Sequence, residues 1–331
     1  MTQTAPLPAP APAAGHRPSA ARRALRALAI LACLPYISLK VAWVAGSEIG
    51  IPAGSALLEH RRMMVIANSA TVLADVLVVV LALLLTQPWG RRFPAWLLAL
   101  PMWAATGLLA PIMTGYPAQL AVALLTGDDK AAAPREPFLD GWVFGVVYSG
   151  FILQGLALGS LFVLYARDRW GHLWQGRLGE LSAGTSGPGA RALAVAGSVV
   201  ALLPAALHLL WAAGSTTGLS ARRIAERDAD FYVLEAERFG FVLVAVAVTL
   251  LLVLRRPARL RVRTTLALAW TAPAAAGCWG AYMSLIALLP ESDPTKRVPG
   301  LVQLSYAGDM ITGFLLAACV ALFLRRRSAG A

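Results

Sequence analysis

Ionisable side chains stand inside long apolar stretches of this sequence, where an unpaired charge is unfavourable. They are Lys40, Asp75, His208 and Asp309. Each such group needs a partner, a polar cavity or a change of protonation state, so it marks a functional site by default. A carboxyl group in a medium of low dielectric constant also tends to keep its proton, because burial disfavours the charged form. These residues could therefore bind ions or transfer protons.

The same residues have ordinary structural explanations. Lys40 lies about two turns from the end of its apolar stretch, so its side chain can extend to the membrane surface. His208 can form a hydrogen bond between helices. Asp75 shares a helical face with Asn68 and Thr71, and we count Asn68 with it among the candidate binding residues.

Aromatic side chains recur at a similar depth in the apolar stretches. They are Trp43, Tyr148, Trp211, Trp279, Tyr282 and Tyr306. Aromatic faces stabilise cations, whereas a belt of aromatic residues at the membrane interface is a common alternative. The belt explains Trp43 and Trp211 less well, because they recur beside Lys40 and His208.

The sequence contains no pattern typical of metal or nucleotide chemistry. Its histidines lack the spacing of metal ligands, and no P-loop or G-x-G-x-x-G pattern stands in a usable context. Cys33, Cys278 and Cys319 lie singly in apolar runs, and we interpret them as small buried hydrophobes. We therefore expect no metal and no cofactor.

The elements that carry these residues are predicted to be membrane-spanning helices. Of 331 residues, 58% are hydrophobic and 14% are charged, compared with about 25% charged in soluble domains. Mean hydropathy is +0.65. The apolar segments long enough to cross a bilayer as helices are eight in number: 25–46, 63–86, 94–113, 141–166, 191–213, 239–255, 264–289 and 304–324. The expected fold class is an all-α integral membrane protein with eight transmembrane helices.

The chain has a net charge of +12, and most of its basic residues lie on one side of the predicted membrane helices. Arginines precede the first span, follow the eighth, and fill every second connection between them. By the positive-inside rule this side is cytoplasmic, so we expect a plasma (inner) membrane protein with both termini in the cytoplasm. Topology explains the charge, and a nucleic-acid partner is not expected. The expected partners are the lipid bilayer and a lipophilic small molecule, with the oligomeric state left open.

One motif occurs twice without a gap. Residues 40–50, KVAWVAGSEIG, match residues 208–218, HLLWAAGSTTG, at the basic residue, the tryptophan, both glycines and the serine. A second match relates residues 148–167, which begin YSGFILQGLAL, to residues 306–325, which begin YAGDMITGFLL. We interpret these matches as an internal duplication that gives two parallel four-helix repeats, related by an axis along the membrane normal.

This duplication divides the chain into tails, repeats and a linker. The parts are a disordered cytoplasmic tail (1–23), the first four-helix repeat (24–166), a cytoplasmic linker (167–190), the second four-helix repeat (191–325) and a cytoplasmic tail (326–331). The first tail is rich in Pro and Ala and has few large apolar groups, which is typical of disorder.

Two outer loops mix charged and apolar residues at helical spacing. They are IPAGSALLEHRRMM and LSARRIAERDADFYVLEAERF. Each is either a short helix on the outer face or an extension of the span that follows it. Most of the acidic residues, including Glu235 and Glu237, are assigned to the loops on the outer side of the membrane.

The duplicated motif resembles that of a group of multi-spanning bacterial proteins with a K/H-x-x-W-x-x-G-S/G pattern. The matching residues are Lys40, Trp43, Gly46 and Ser47 in the first copy and His208, Trp211, Gly214 and Ser215 in the second. In architecture the chain is also similar to bacterial membrane terpene cyclases of indole-sesquiterpenoid pathways. This resemblance implies a membrane enzyme that acts on a prenylated substrate.

Three functional hypotheses follow. The first is a metal-independent terpene cyclase, in which a buried carboxylic acid protonates the substrate and the aromatic side chains stabilise the carbocation. Asp309 is the leading candidate for this acid and Glu59 the second. The second hypothesis is a transporter or exporter, with Lys40 and His208 binding an anion and Asp75 coupling protons. The third is a non-catalytic accessory subunit.

Overall fold

The protein consists mainly of helices joined by loops and turns in a computed structural model, which describes residues 19–59, 61–127, 138–289 and 293–329. The helices are α1 (Ala20–Val44), α2 (Ala56–Glu59), α3 (Arg61–Thr86), α4 (Ala95–Thr126), α5 (Gly141–Trp170), α6 (Pro188–Ala212), α7 (Ala221–Ala225), α8 (Ala229–Leu254), α9 (Val262–Ala287) and α10 (Gly300–Ala329). Short 3-10 turns supplement them, and the described ranges contain no strand. The all-α prediction is confirmed. Most of the predicted N-terminal tail, residues 1–18, lies outside the described residues.

Seven of the described helices are long and apolar enough to cross a membrane: α1, α3, α4, α5, α6, α8 and α10. The protein is therefore a multi-pass membrane protein. The sequence analysis counted eight such segments. The segment at 264–289 does form the 26-residue helix α9, but its Thr, Gly, Pro and Trp residues keep its hydropathy below that of the seven. Small residues are typical of a helix that packs against other helices and has little contact with lipid.

Two helices are longer than the sequence analysis predicted. Helix α4 continues to Thr126, past the predicted end at residue 113, although Pro101, Pro111 and Pro117 lie within it. Helix α8 begins ten residues before the predicted start at 239, because the side chain of Asp228 caps it by accepting a hydrogen bond from the backbone N–H of Phe231 at 2.8 Å. The correction has a functional consequence, since it moves Glu235 and Glu237 from a loop into a membrane helix.

The helices pack as two groups joined by α4 and α9. Helix α1 packs against α3 and α5, and α6 packs in the same way against α8 and α10. Helix α4 contacts α5 in its own group and also α8 and α9 in the other. The closest helix approach includes Gly277 of α9 and Gly313 of α10, where a Cβ added to Gly313 would lie 2.3 Å from the Gly277 backbone. Only glycine fits there.

Both of the predicted outer-loop alternatives are present in each loop. Helix α2 and helix α7 are short separate helices, and each is followed directly by a long helix, α3 or α8, that extends the neighbouring span. On the opposite side, the connection from α5 to α6 consists of 3-10 turns. Backbone hydrogen bonds tie it to the loop before α9, for example from Leu178 N–H to Leu260 O at 2.9 Å.

Candidate functional site

The repeated motif folds into the same helix ending in both copies. In the first copy α1 ends at Val44, Gly46 takes φ +98°, and the indole N–H of Trp43 donates to the carbonyl of Ile49 at 2.8 Å. The Ser47 hydroxyl accepts a hydrogen bond from the Ile49 N–H at 3.3 Å. A positive φ of this kind favours glycine, because other residues strain there.

The second copy repeats these contacts one by one. Gly214 takes φ +95°, Trp211 donates to the carbonyl of Thr217 at 2.9 Å, and Ser215 accepts from the Thr217 N–H at 3.3 Å. The tryptophan, glycine and serine of the motif thus fix a loop to the end of a helix. This is the role that the structure gives Trp43 and Trp211, which the sequence analysis placed among the substrate-binding residues.

Lys40 forms a buried ion pair inside the first group of helices, the group of α1, α3 and α5. Its side chain is buried, and Nζ lies 3.1 Å from Oδ2 of Asp75. The same Nζ stands 3.4 Å from the ring centroid of Tyr36, which adds a cation–π contact. Lys40 therefore does not extend to the membrane surface, and Asp75 is its charge partner.

His208, at the matching position, links carboxyl groups from two other helices. Nδ1 lies 2.6 Å from Oε2 of Glu235 on α8, and Nε2 lies 2.9 Å from Oδ2 of Asp309 on α10. The Ser305 hydroxyl is 3.2 Å from the same Nε2. The imidazole is fully buried. The arrangement is a continuous acid–histidine–acid chain, along which a proton can be held or moved.

Asp309 is the member of this chain that is open to a cavity. Its side chain is buried, with a residue exposure of 5%. One carboxyl oxygen, Oδ2, contacts His208, and the other, Oδ1, has no hydrogen-bond partner among the described residues. A buried carboxyl oxygen without a partner is energetically unfavourable, so Oδ1 would be stabilised by a proton or by a contact with a ligand bound beside Asp309.

This cavity lies between the two groups of helices and has a volume of about 260 Å³. Its walls come from α4, α5, α8, α9 and α10. The aromatic side chains that line it are Tyr116, Tyr148, Phe241, Trp279 and Tyr306. The polar and charged side chains that line it are Gln119, Glu237, Arg238 and Asp309. The volume is slightly below the range of about 300–1,000 Å³ typical of ligand pockets.

Two charged residues of α8 complete the site. Arg238 Nη1 lies 3.4 Å from Oε1 of Glu235, and the guanidinium carbon lies 5.5 Å from the ring centroid of Tyr306. Glu237 accepts a hydrogen bond from the hydroxyl of Thr114 on α4. Glu235, Glu237 and Arg238 were missed as site residues, because a hydropathy window discards the charged first turns of a helix. The Asp228 cap could have revealed them.

Of the other predicted site residues, three lie together at the cavity and the rest lie elsewhere. Tyr148, Trp279 and Tyr306 line the cavity, and Tyr282 packs edge-on against Trp279 at a centroid distance of 5.5 Å. Asn68 lies half-buried on α3 and donates to the carbonyl of Met64. Glu59 ends α2, but its side chain and the whole of His60 lie outside the described residues.

The described residues contain no group of three or more His, Cys, Asp or Glu side chains arranged to hold a metal ion. In the His208 chain the two acids contact opposite nitrogens of the ring, so they do not converge on one point. Comparisons with family models, with curated proteins and with solved structures find no match to this chain. The function must therefore be argued from the site itself.

Proposed function

We propose that this multi-pass membrane protein is an enzyme, a metal-independent terpene cyclase in which Asp309 protonates a prenylated lipophilic substrate. One observation carries the proposal: a buried carboxyl group in the wall of an aromatic cavity, with one oxygen held by a histidine and the other without a hydrogen-bond partner among the described residues. A general acid needs this arrangement, because the proton must point at the substrate while the rest of the group is fixed.

The His208 chain strengthens the acid in this proposal. An imidazolium that donates hydrogen bonds to Glu235 and to Oδ2 of Asp309 stabilises the carboxylate that proton loss creates. The proton on Oδ1 goes to one carbon of an alkene, or to the oxygen of an epoxide. The carboxylate remains, and a carbocation forms at the adjacent carbon.

Aromatic side chains stabilise the carbocation once it has formed. Tyr148, Trp279 and Tyr306 offer ring faces from three different helices, and cations are attracted to such faces. The apolar remainder of the wall excludes water, which would otherwise trap the cation as an alcohol. Ring closure moves the charge along the substrate, and loss of a proton ends the reaction. The product is an isomer of the substrate, and the proton returns to Asp309 directly or through Glu235 and His208.

The proposal includes an arrangement in the membrane. The chain crosses the plasma membrane eight times, with α9 as a span in addition to the seven more apolar helices and with both termini in the cytoplasm. It is built as two parallel four-helix repeats, which the equal helix endings at Gly46 and Gly214 and the matching packing of α1 and α6 support. The cavity then lies between the repeats and opens toward the outer leaflet, where a lipophilic substrate can enter.

A product assay tests the enzymatic proposal. The protein is purified in mild detergent and incubated with prenylated indoles and other farnesyl-bearing compounds, and mass spectrometry detects a product of unchanged mass and shifted retention. The expected result is a cyclised isomer that Asp309→Asn loses and that the matched surface change Asp140→Asn retains. Glu59→Gln is tested beside them. A full rate of conversion by Asp309→Asn would falsify the assignment of Asp309 as the acid.

Proton-coupled transport is the second candidate, and the Lys40–Asp75 pair favours it. This buried ion pair lies away from the aromatic cavity, and cyclisation gives it no chemical task. A transporter with paired halves can use such a pair to couple proton movement to substrate movement. Uptake by proteoliposomes that requires a pH gradient, without any isomerised product, would favour transport over cyclisation.

A further inference from the structure

We infer that the cavity between the two helix groups binds lipophilic ammonium ions, with Asp309 and Glu237 as the counter-charges and the tyrosine and tryptophan rings as the cage. The inference deepens the proposed function and rests on it only in taking this cavity as the reaction chamber. A stable ammonium ion has the charge and shape of the transient carbocation, but it requires no turnover in order to bind.

The balance of charges around the cavity is negative. The carboxyl groups are those of Glu235, Glu237 and Asp309, and the basic groups are Arg238 and His208. After Asp309 has given up its proton, as in the carbocation state of the proposed reaction, three carboxylates stand against the guanidinium and the imidazolium, and one negative charge remains. The charge of Arg238 is engaged by Glu235 at 3.4 Å and by the ring of Tyr306. A monovalent cation therefore neutralises the cavity, whereas an anion is repelled.

The two counter-charges are held in fixed positions. Asp309 lines the cavity, with one carboxyl oxygen held by His208 and the other without a hydrogen-bond partner among the described residues. Glu237 is fixed by the Thr114 hydroxyl. The neighbouring Gly115 makes room for it, since an added Cβ there would lie 2.6 Å from Oε2 of Glu237. The carboxylates are thus built into the walls, on α10 and on α8.

The aromatic walls supply the rest of the recognition. Tyr116 and Tyr148 lie with ring centroids 4.7 Å apart and tilted by 42°, so they present a shared concave face. Trp279 comes from α9 on another wall. Aromatic rings around carboxylates are the usual receptor for quaternary and tertiary ammonium ions. An apolar substituent on the nitrogen would occupy the apolar part of the wall.

The test uses full-length protein in lipid nanodiscs and isothermal titration calorimetry. The probe is benzyltrimethylammonium, and its neutral isostere neopentylbenzene is the matched ligand control. Binding of the cation above that of empty nanodiscs is expected, together with weaker or undetectable binding of the isostere. Equal binding of the two ligands, or no binding of the cation, overturns the inference without any variant.

Variants then locate the site. Glu237→Gln and Asp309→Asn are each expected to weaken cation binding roughly tenfold or more, as the loss of a charged contact does. Gly115→Ala is expected to weaken it by displacing the Glu237 carboxylate, and Asp140→Asn is expected to leave it unchanged. Thermal unfolding confirms that each variant is folded. Unchanged affinity in both Glu237→Gln and Asp309→Asn places the cation elsewhere and overturns the inference. Cation binding without any cyclisation would instead overturn the proposed function alone.

Discussion

Lys40 and His208 occupy the same position relative to matching helix ends, yet the groups around them differ. Lys40 faces one carboxylate, Asp75, and the ring of Tyr36, so its pair is closed. His208 faces two carboxyl groups, and one of them, that of Asp309, continues into a cavity. A duplicated scaffold can thus keep the helix ending in both copies while only one copy connects its basic residue to a space where a ligand fits.

The type of basic residue in each copy, lysine in the first and histidine in the second, agrees with this difference in surroundings. Lysine is a single point charge, which one carboxylate can satisfy. Histidine has two ring nitrogens and can donate at one while it accepts at the other, so it can relay a proton between two acids. In the proposed enzyme the first pair stabilises the fold and the second performs the chemistry. The predictions below test this difference, beginning with the largest expected effect.

Removing the acid of the second copy should have the largest effect on catalysis. Asp309→Asn keeps the shape of the side chain but cannot donate a proton from a carboxyl group. We expect the rate of cyclisation to fall about 100- to 10,000-fold, the usual contribution of a positioned general acid. Product formation by mass spectrometry measures it, with Asp140→Asn as the control. A rate within a factor of about two of the parent protein would contradict the assigned role.

Removing the acid of the first copy should chiefly affect stability. Asp75→Asn leaves the Lys40 ammonium buried without a charge partner, and breaking a buried pair on one side costs about 3–5 kcal/mol. Replacing both partners, as Lys40→Met with Asp75→Leu, should recover most of the loss. Denaturant-induced unfolding in detergent micelles measures the free energy. If the double variant is no more stable than Asp75→Asn, then Lys40 and Asp75 do not form the isolated buried ion pair described above.

The glycines of the two motifs should differ in their tolerance of a methyl group. Both have a positive φ, so alanine at either position costs about 1–3 kcal/mol through backbone strain. At Gly46 the added Cβ would also lie 2.5 Å from Nη2 of Arg61, whereas at Gly214 nothing lies within 4 Å. Gly46→Ala is therefore expected to lower the melting temperature only slightly more than Gly214→Ala, because the guanidinium is the far end of a flexible, exposed side chain and can move aside. The reverse order would count against the described position of Arg61.

Replacing the tryptophan of either motif should have the smallest of the predicted effects on the free energy of unfolding, and the two effects should be equal. Phenylalanine keeps an aromatic ring, although a smaller one, and loses the indole N–H, which donates to Ile49 O in one copy and to Thr217 O in the other. We expect Trp43→Phe and Trp211→Phe each to reduce the free energy of unfolding by about 1 kcal/mol, the net value of one hydrogen bond. Unfolding curves of the two variants should nearly coincide. A large drop in the rate of cyclisation for either variant would indicate that this tryptophan binds the substrate, as the sequence predicted.

The sequence made some of these features visible and not others. The equivalence of Lys40 and His208 could be seen because tryptophan and glycine at fixed offsets do not arise from general apolar bias. Membrane helices could be predicted because seven of them are strongly apolar. Tyr148, Trp279 and Tyr306, all predicted as site residues, do line one cavity.

What remained hidden depends on packing between distant helices. Asp75 and Glu235 are the partners of the two matching basic residues, but they stand at different heights on α3 and α8. No repeat in the sequence relates them. Glu237 and Arg238 belong to a charged helix start, which composition alone assigns to a loop. Only the three-dimensional arrangement brings these side chains against α4 and α10.

The small residues of α9 have a consequence for how the chain is made. A segment of this composition enters a membrane less readily by itself than the seven more apolar helices do. In the eight-span arrangement it must be retained by its neighbours, and Gly277 gives it a close contact with Gly313 of α10, the next helix along the chain. Insertion of α9 is then completed only after α10 has been synthesised, so the walls that α9 and α10 give the cavity come together at that stage.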